Sequence, residues 1–249
     1  MVTQVASTTW ATANTLHHPQ LVGLVECRWV HTGPAEPIRV LPDGCMDLIE
    51  MDKIVVAGPD TTAFLTAGSR DPVQALRFRP GALPRLLGVP ACELRNIRVD
   101  LQELRRINRG SSLEQLAAGL AAELPRVETA PWTLPVLENV TRRLAAGESV
   151  AATAHAAGWS SRTMQRQCLA VYGYGPATLR RILRFRRAVG LIGTGASPSA
   201  VAARAGYSDQ PHLHREVRAL AGVGLPQLRQ SSVAANRSTE IPSGSSTVA

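Results

Sequence analysis

Arg162, Gln165 and Arg166 sit within the run SRTMQRQCLAV (161–171) of this 249-residue chain, and their chemistry is that of base recognition. An arginine fork can hold two acceptors on the edge of a guanine, and a glutamine amide can pair with an adenine. On a helix over 162–171 these three side chains fall on one face, with Met164, Cys168 and Val171 on the other. Upstream, Ala151 to Ala157 reads as a short helix of small residues, and Gly158 suits the left-handed position that ends it. Ser160 or Ser161 can then cap the next helix by accepting from its first free amides. A small helix, a glycine turn and a second helix with long donors outward make a helix-turn-helix. Taken alone, the segment also fits a helical hairpin of an ordinary core.

A second copy weighs against that bland reading. ATAHAAGWS (152–160) aligns without a gap on AVAARAGYS (200–208), so Gly206 follows Gly158 by 48 residues. Between them, PATLRRILRFRRAVGLI (176–192) opens on a proline suited to a first helical position, and Leu179, Ile182, Leu183, Arg186 and Val189 recur at a helical period. Such a helix would span about 25 Å. Two units on this spacer can set their second helices about 34 Å apart, one turn of duplex.

From Pro135 to Arg229 the sequence resembles the AraC/XylS family of transcription regulators. The resemblance rests on the two turns, the Gly173-Tyr174-Gly175-Pro176 junction, the linker helix, and Gly-Tyr-Ser-Asp-Gln at 206–210. It implies an all-α DNA-binding domain with two recognition helices in successive major grooves. It also implies DNA contacts from Arg162, Thr163, Gln165 and Arg166 in the first unit, and from Gln210, Pro211, His212 and Arg215 in the second. There are departures. Pro211 stands where a polar residue is usual, and Cys168 and Val217 stand where the family has Phe. Gly190 and Gly193 should weaken the end of the linker helix, and Gly224-Leu225 replaces the usual Ser-Pro.

The charge is distributed accordingly. The whole chain carries +8, but residues 135–230 hold 13 arginines against four acids, a balance of +9, while residues 1–134 hold 13 basic residues against 14 acids. The basic surface therefore belongs to the repeat region, as a phosphate-binding module requires. Arg180, Arg181, Arg184 and Arg187 on the linker helix are expected to meet phosphates or neighbouring acids.

The N-terminal half predicts something different. Residues 1–15 read as loose, and residues 21–30 as helical at first and then extended. Short strands are expected at 38–41 and 45–50 around the Pro42-Asp43-Gly44 turn, then at 53–57, 63–67 and 73–78. Their spacing, with glycine and proline between, points to a small antiparallel sheet or barrel. Helices are expected over 82–87, 93–107 and 112–124, the last with a capping box from Ser112 and Gln115. The overall class is α+β. The expected organisation is a sensor-like domain at 16–124, a proline-rich linker at 125–134, a DNA-binding domain at 135–230 and a disordered tail at 231–249.

LPDGCMDLIE (41–50), VVAGP (55–59) and RFRPGALPRLLG (77–88) look like a domain often found before AraC-type DNA-binding regions, covering about 16–105. The resemblance implies a regulatory role and brings no ligand with it. Turn chemistry and packing account for Asp43, Cys45 and Asp47. Alternatively they line an effector pocket with Arg77 and Arg79, whose guanidinium groups would share one strand face and could hold a carboxylate or phosphate. Salt bridges from these arginines to Asp47 or Asp71 are the competing use.

Cys27, Cys45, Cys92 and Cys168 form no C-x-x-C pair, and no signal peptide or membrane-spanning run is read. The expectation is a cytoplasmic protein with reduced thiols, no cofactor and no metal. His155 reads as a helix-surface residue, and His212 and His214 flank Leu213 on opposite sides. The expected partner is double-stranded DNA, with a small effector, RNA polymerase and a second copy of the chain as further candidates. Two other readings stay open: a zinc-and-cysteine DNA-repair methyl acceptor fused to a DNA-binding domain, for which the cysteines are too scattered, and an adaptor that no longer touches DNA.

Overall fold

The computed structural model describes residues 7–12, 17–32, 37–69, 71–107 and 110–229. The N-terminal half is built on a six-stranded sheet. Its strands are β1 (Ser7–Thr12), β2 (Val25–Thr32), β4 (Met46–Glu50), β5 (Ile54–Ala57), β7 (Val73–Phe78) and β8 (Arg98–Asp100), while β3 (Arg39–Val40) and β6 (Phe64–Leu65) form a separate ribbon. The order is β1-β2-β7-β4-β5-β8, and every neighbouring pair is antiparallel. Alternation sorts the side chains to two faces. Leu48 lies opposite both Leu76 and Val56, and Phe78 opposite both Val25 and Met46. These residues form one apolar face, covered by Leu83, Leu86 and Leu87 of α1 (Leu83–Leu87) and by Leu113, Leu116 and Leu120 of α3 (Leu113–Ala122). Ser112 and Gln115 form the expected capping box at the start of α3.

Two expectations are corrected. Residues 7–12 are not loose: they pair along their whole length with Thr32 back to Cys27, because STTWAT is rich in β-formers and β2 offers an open edge. Residues 1–6 and 13–16 lie outside the described residues. The stretch 93–107 is not one helix. Asn96 turns it with a positive φ of 60°, and Arg98–Asp100 then closes the sheet edge beside β5. Only α2 (Leu101–Leu104), capped by Asp100, remains helical there.

The C-terminal half is helical: α4 (Leu134–Ala145), α5 (Val150–Ala156), α6 (Ser161–Tyr172), α7 (Pro176–Gly193), α8 (Pro198–Ala205) and α9 (Gln210–Ala221). Residues 123–133 join α3 to α4 without regular structure, and the expected tail at 231–249 lies outside the described residues. Helix α7 belongs to two cores. Its Leu179, Ile182 and Leu183 pack with Val140, Leu144, Met164 and Cys168, while its Phe185, Ala188 and Ile192 pack with Val201, Leu213 and Val217. Despite Gly190 and Gly193, α7 runs to Gly193.

The N-terminal half is in contact with both helical cores. Gly81, at φ +79°, lies under the helical domain so closely that a Cβ there would stand 2.6 Å from Val171, 2.8 Å from Leu137 and 3.0 Å from Tyr172. At the second core, the Ala63 amide donates to the Leu220 carbonyl over 2.7 Å and Arg39 donates to the Ala221 carbonyl over 3.0 Å. Between them, a bulge in β2 displaces Glu26 from the ladder, and its carboxylate meets Arg186 of α7.

Candidate nucleic-acid interface

Each turn is held by the same local chemistry. In the first unit Ser149 caps α5 by accepting from the Ala152 amide, Gly158 takes φ +70°, and the Trp159 amide donates back to the Ala154 carbonyl over 2.9 Å. In the second, Ser197 caps α8 by accepting from the Ala200 amide, Gly206 takes φ +82°, and the Tyr207 amide donates to the Ala202 carbonyl over 2.9 Å. Beyond this point the copies part. The cap of α6 is Ser160, which accepts from the Thr163 amide, whereas the cap of α9 is Asp209, which accepts from the His212 amide. The second turn is thus one residue longer, and from the caps onward the offset is 49.

That extra residue changes which side chains correspond. Thr163 and His212 both occupy the third helical position, and both are engaged by their turns. Thr163 shares a 3.0 Å hydrogen bond with the Ser160 hydroxyl. His212 shares one of 3.0 Å with Ser208 and stands edge-on to Tyr207, ring centroids 5.2 Å apart. Arg162, Gln165 and Arg166 then match Pro211, His214 and Arg215. Arg162, Gln165 and Arg166 are exposed, as are Gln210, Pro211 and Arg215. Gln165 folds its amide back over Gly175, where a Cβ would stand 2.4 Å from Nε2. Gln210 reaches 3.5 Å to His214, a residue outside the DNA contacts that the family resemblance implies. The signal for His214 was the spacing of the caps, which the aligned glycines conceal.

Beneath the exposed faces, α6 buries Met164, Cys168, Val171 and Tyr172, and α9 buries Leu213, Val217, Leu220 and Ala221. Burial pushes the Cys168 thiol up to about 12. Several linker-helix arginines face acids. Arg181 makes a two-pronged contact with Glu216, at 2.8 and 3.0 Å, and Arg184 stands 3.6 Å from the same carboxylate with its guanidinium over the Tyr207 ring. Burial opposes ionisation of Glu216, but the hydrogen bond and charge of Arg181 hold its pKa below the ordinary value. Arg187, Arg162 and Arg166 are exposed and make no ion pair among the described residues.

The other candidate residues lie at the domain junction. Arg77 joins Asp47 at 3.1 Å and Asp43 at 3.0 Å, and Trp29 donates to Asp47 over 3.1 Å. Asp43 also accepts from the Cys45 amide, closing its turn. The Cys45 sulfur lies 3.1 Å from Glu26 and 3.4 Å from Arg186. Burial, more than the nearby charges, raises the Cys45 thiol well above its ordinary range. These residues satisfy one another. Arg79 does not join them: β7 ends at Phe78, and the Arg79 side chain is exposed. Among the described residues no group of three or more His, Cys, Asp or Glu is placed to hold a metal ion, and no helix is long and apolar enough to cross a membrane.

Residues 153–231 match the family model described as a helix-turn-helix domain. This is an AraC-type helix-turn-helix domain. The chain that carries it is a DNA-binding transcription regulator. Residues 15–100 match a domain of unknown function, DUF6597, so the AraC-type domain follows a recognisable N-terminal partner. No curated protein matches the chain. Solved structures similar to it include ToxT from Vibrio cholerae O395, at 10% identity and a TM-score of 0.44, over 93% of this chain and 98% of that one. ToxT of the same strain bound to (E)-4-(8-methylnaphthalen-1-yl)but-3-enoic acid matches at 11% identity and a TM-score of 0.43, over 93% and all of its length.

Proposed function

We propose that the regulator reads two half-sites one helical turn apart, with α6 and α9 in successive major grooves. The observation that carries this is the single helix α7 shared by both cores. At 18 residues it spans about 27 Å, close to the turn of duplex that separates such half-sites. Arg162 or Arg166 pairs with guanine and Gln165 with adenine, once its amide leaves Gly175. In the second unit Gln210 and His214 face the groove, and Arg215 contacts phosphate. Thr163 and His212 order the helix starts, and Pro211 supplies shape alone. Arg187 contacts phosphate and fixes register without reading sequence. Residues 16–124 modulate binding from the cytoplasmic protein's other half, with 125–134 as the connection between them.

The test is selection from a genomic fragment library with purified protein, followed by affinity against salt. The expected result is a motif of two half-sites about one turn apart with a steep salt slope. Enrichment of one half-site would leave the second unit a positioning role, and no enrichment with a flat salt response would overturn the reading.

A further inference from the structure

In the N-terminal half, α1, the end of α2 and the segment after α3 line a half-open cavity of about 420 Å³. Four arginines line it, Arg85, Arg105, Arg106 and Arg126, against one carboxylate, Glu123. Glu123 is already paired with Arg105. Arg106 and Arg126 make no ion pair among the described residues, and Arg126 lies against Gly88, where a Cβ would stand 3.2 Å from its Nε. Arg85 is half-buried and donates to the Trp132 carbonyl. Burial, with no acid opposing it, lowers its pKa. These residues come from three separate stretches of the chain.

Guanidinium forks converging on one space select oxyanions that accept from several donors at once. The volume suits a small molecule, and a lining of four arginines beside Leu86, Leu104 and Leu124 favours an anionic one over an apolar one. We propose that this cavity binds a small multiply charged oxyanion, a phosphorylated or polycarboxylate metabolite, and passes its occupancy to α6. The relay is short. Trp132, whose carbonyl holds Arg85, stacks on Trp159 with ring centroids 5.0 Å apart and planes 11° from parallel. Its indole N–H donates to Gln167 of α6 over 2.9 Å. Trp159 immediately precedes Ser160, the cap of α6. An anion that draws Arg85 off the Trp132 carbonyl acts on the start of the first recognition helix. This relay rests on the DNA-binding reading; the anion site does not.

The full chain, without DNA, would be titrated at constant ionic strength with pyrophosphate and separately with citrate, followed by calorimetry and tryptophan fluorescence. The expected result is saturable one-site binding of at least one probe, weakened tenfold or more in the exposed-site double variant Arg106→Glu/Arg126→Glu. Preference for pyrophosphate assigns a phosphorylated metabolite, and preference for citrate a polycarboxylate. Heat and fluorescence that do not saturate with either probe, or that are unchanged in a folded double variant, overturn the site. DNA affinity is then measured with and without saturating probe, and a threefold or larger change absent from the double variant supports the relay. An unchanged affinity overturns the relay and leaves the site. Absence of DNA binding strikes the DNA reading and the relay together, with the calorimetric result still standing. A double variant that loses salt-dependent DNA affinity, in a protein that binds neither probe, makes these arginines DNA-backbone contacts and overturns the proposal.

Discussion

The first and second helix-turn-helix units share a turn and differ in what their second helices are free to do. Helix α6 begins on a serine cap and presents Arg162 and Arg166 exposed, without ion pairs among the described residues. Helix α9 begins on a carboxylate cap, has His212 engaged with Ser208 and Tyr207, carries Pro211 in its first turn, and has its Glu216 held by α7. Its last carbonyls receive hydrogen bonds from the N-terminal half. Both copies touch the N-terminal half, α6 through Val171 and Tyr172 beside Gly81, but the start of α6 is open where the start of α9 is engaged. Duplication supplies two scaffolds, and the residues around each cap decide how much of the helix start remains available to a base.

The comparison can be broken first at the cores. Met164→Ala in α6 and Leu213→Ala in α9 each empty a fully buried position, and each should cost about 2–5 kcal/mol by urea denaturation. A much smaller loss for Leu213→Ala would mean that the second core relaxes into the gap. Arg166→Ala should cost about 1–3 kcal/mol of DNA affinity and relax specificity in one half-site, read by competition among single-base operator variants. Uniform weakening on all sequences would instead make Arg166 a phosphate contact.

The caps give the next contrast. Ser160→Ala should remove about 0.5–2 kcal/mol of stability with no dependence on pH. Asp209 is held below its ordinary value of 3.8, chiefly by the hydrogen bond it accepts from the His212 amide. Its folded pKa is depressed, so its stabilisation is fully present above about pH 4 and is lost as pH falls through the lower folded value. Circular dichroism of Asp209→Asn against the parent below pH 4 should show the gap between them closing. A gap that persists at pH 2 would assign the cap to shape alone. The smallest effect is expected for Arg215→Ala, a uniform weakening with the salt slope reduced by about 1. Lost discrimination at one base pair would promote Arg215 to a reader.

Much of the helical domain was legible because its signals are local. Gly158 and Gly206, the small helices before them, the period of α7 and the Ser112 capping box all act within one or two turns of chain. The failures arise where a distant partner decides. Residues 7–12 become a strand only because β2 lies open beside them, and Arg98–Asp100 only because β5 does. The register of α9 turned on one inserted residue that the matching Gly-Trp-Ser and Gly-Tyr-Ser hide. Asp43, Cys45, Asp47 and Arg77 were found as a group, but their union with Glu26 and Arg186 depends on a bulge and a helix 160 residues away. The four arginines around the cavity leave no sequence signature at all.

Gly81 carries a historical consequence. No side chain fits at this position without displacing Val171, Tyr172 or Leu137, two of them on the first recognition helix. A mutation there would be felt as altered gene regulation although it lies outside the DNA-binding domain. Descendants of this chain that keep the two halves docked must therefore keep the glycine. Those that lose it should also be those whose halves have come to act separately.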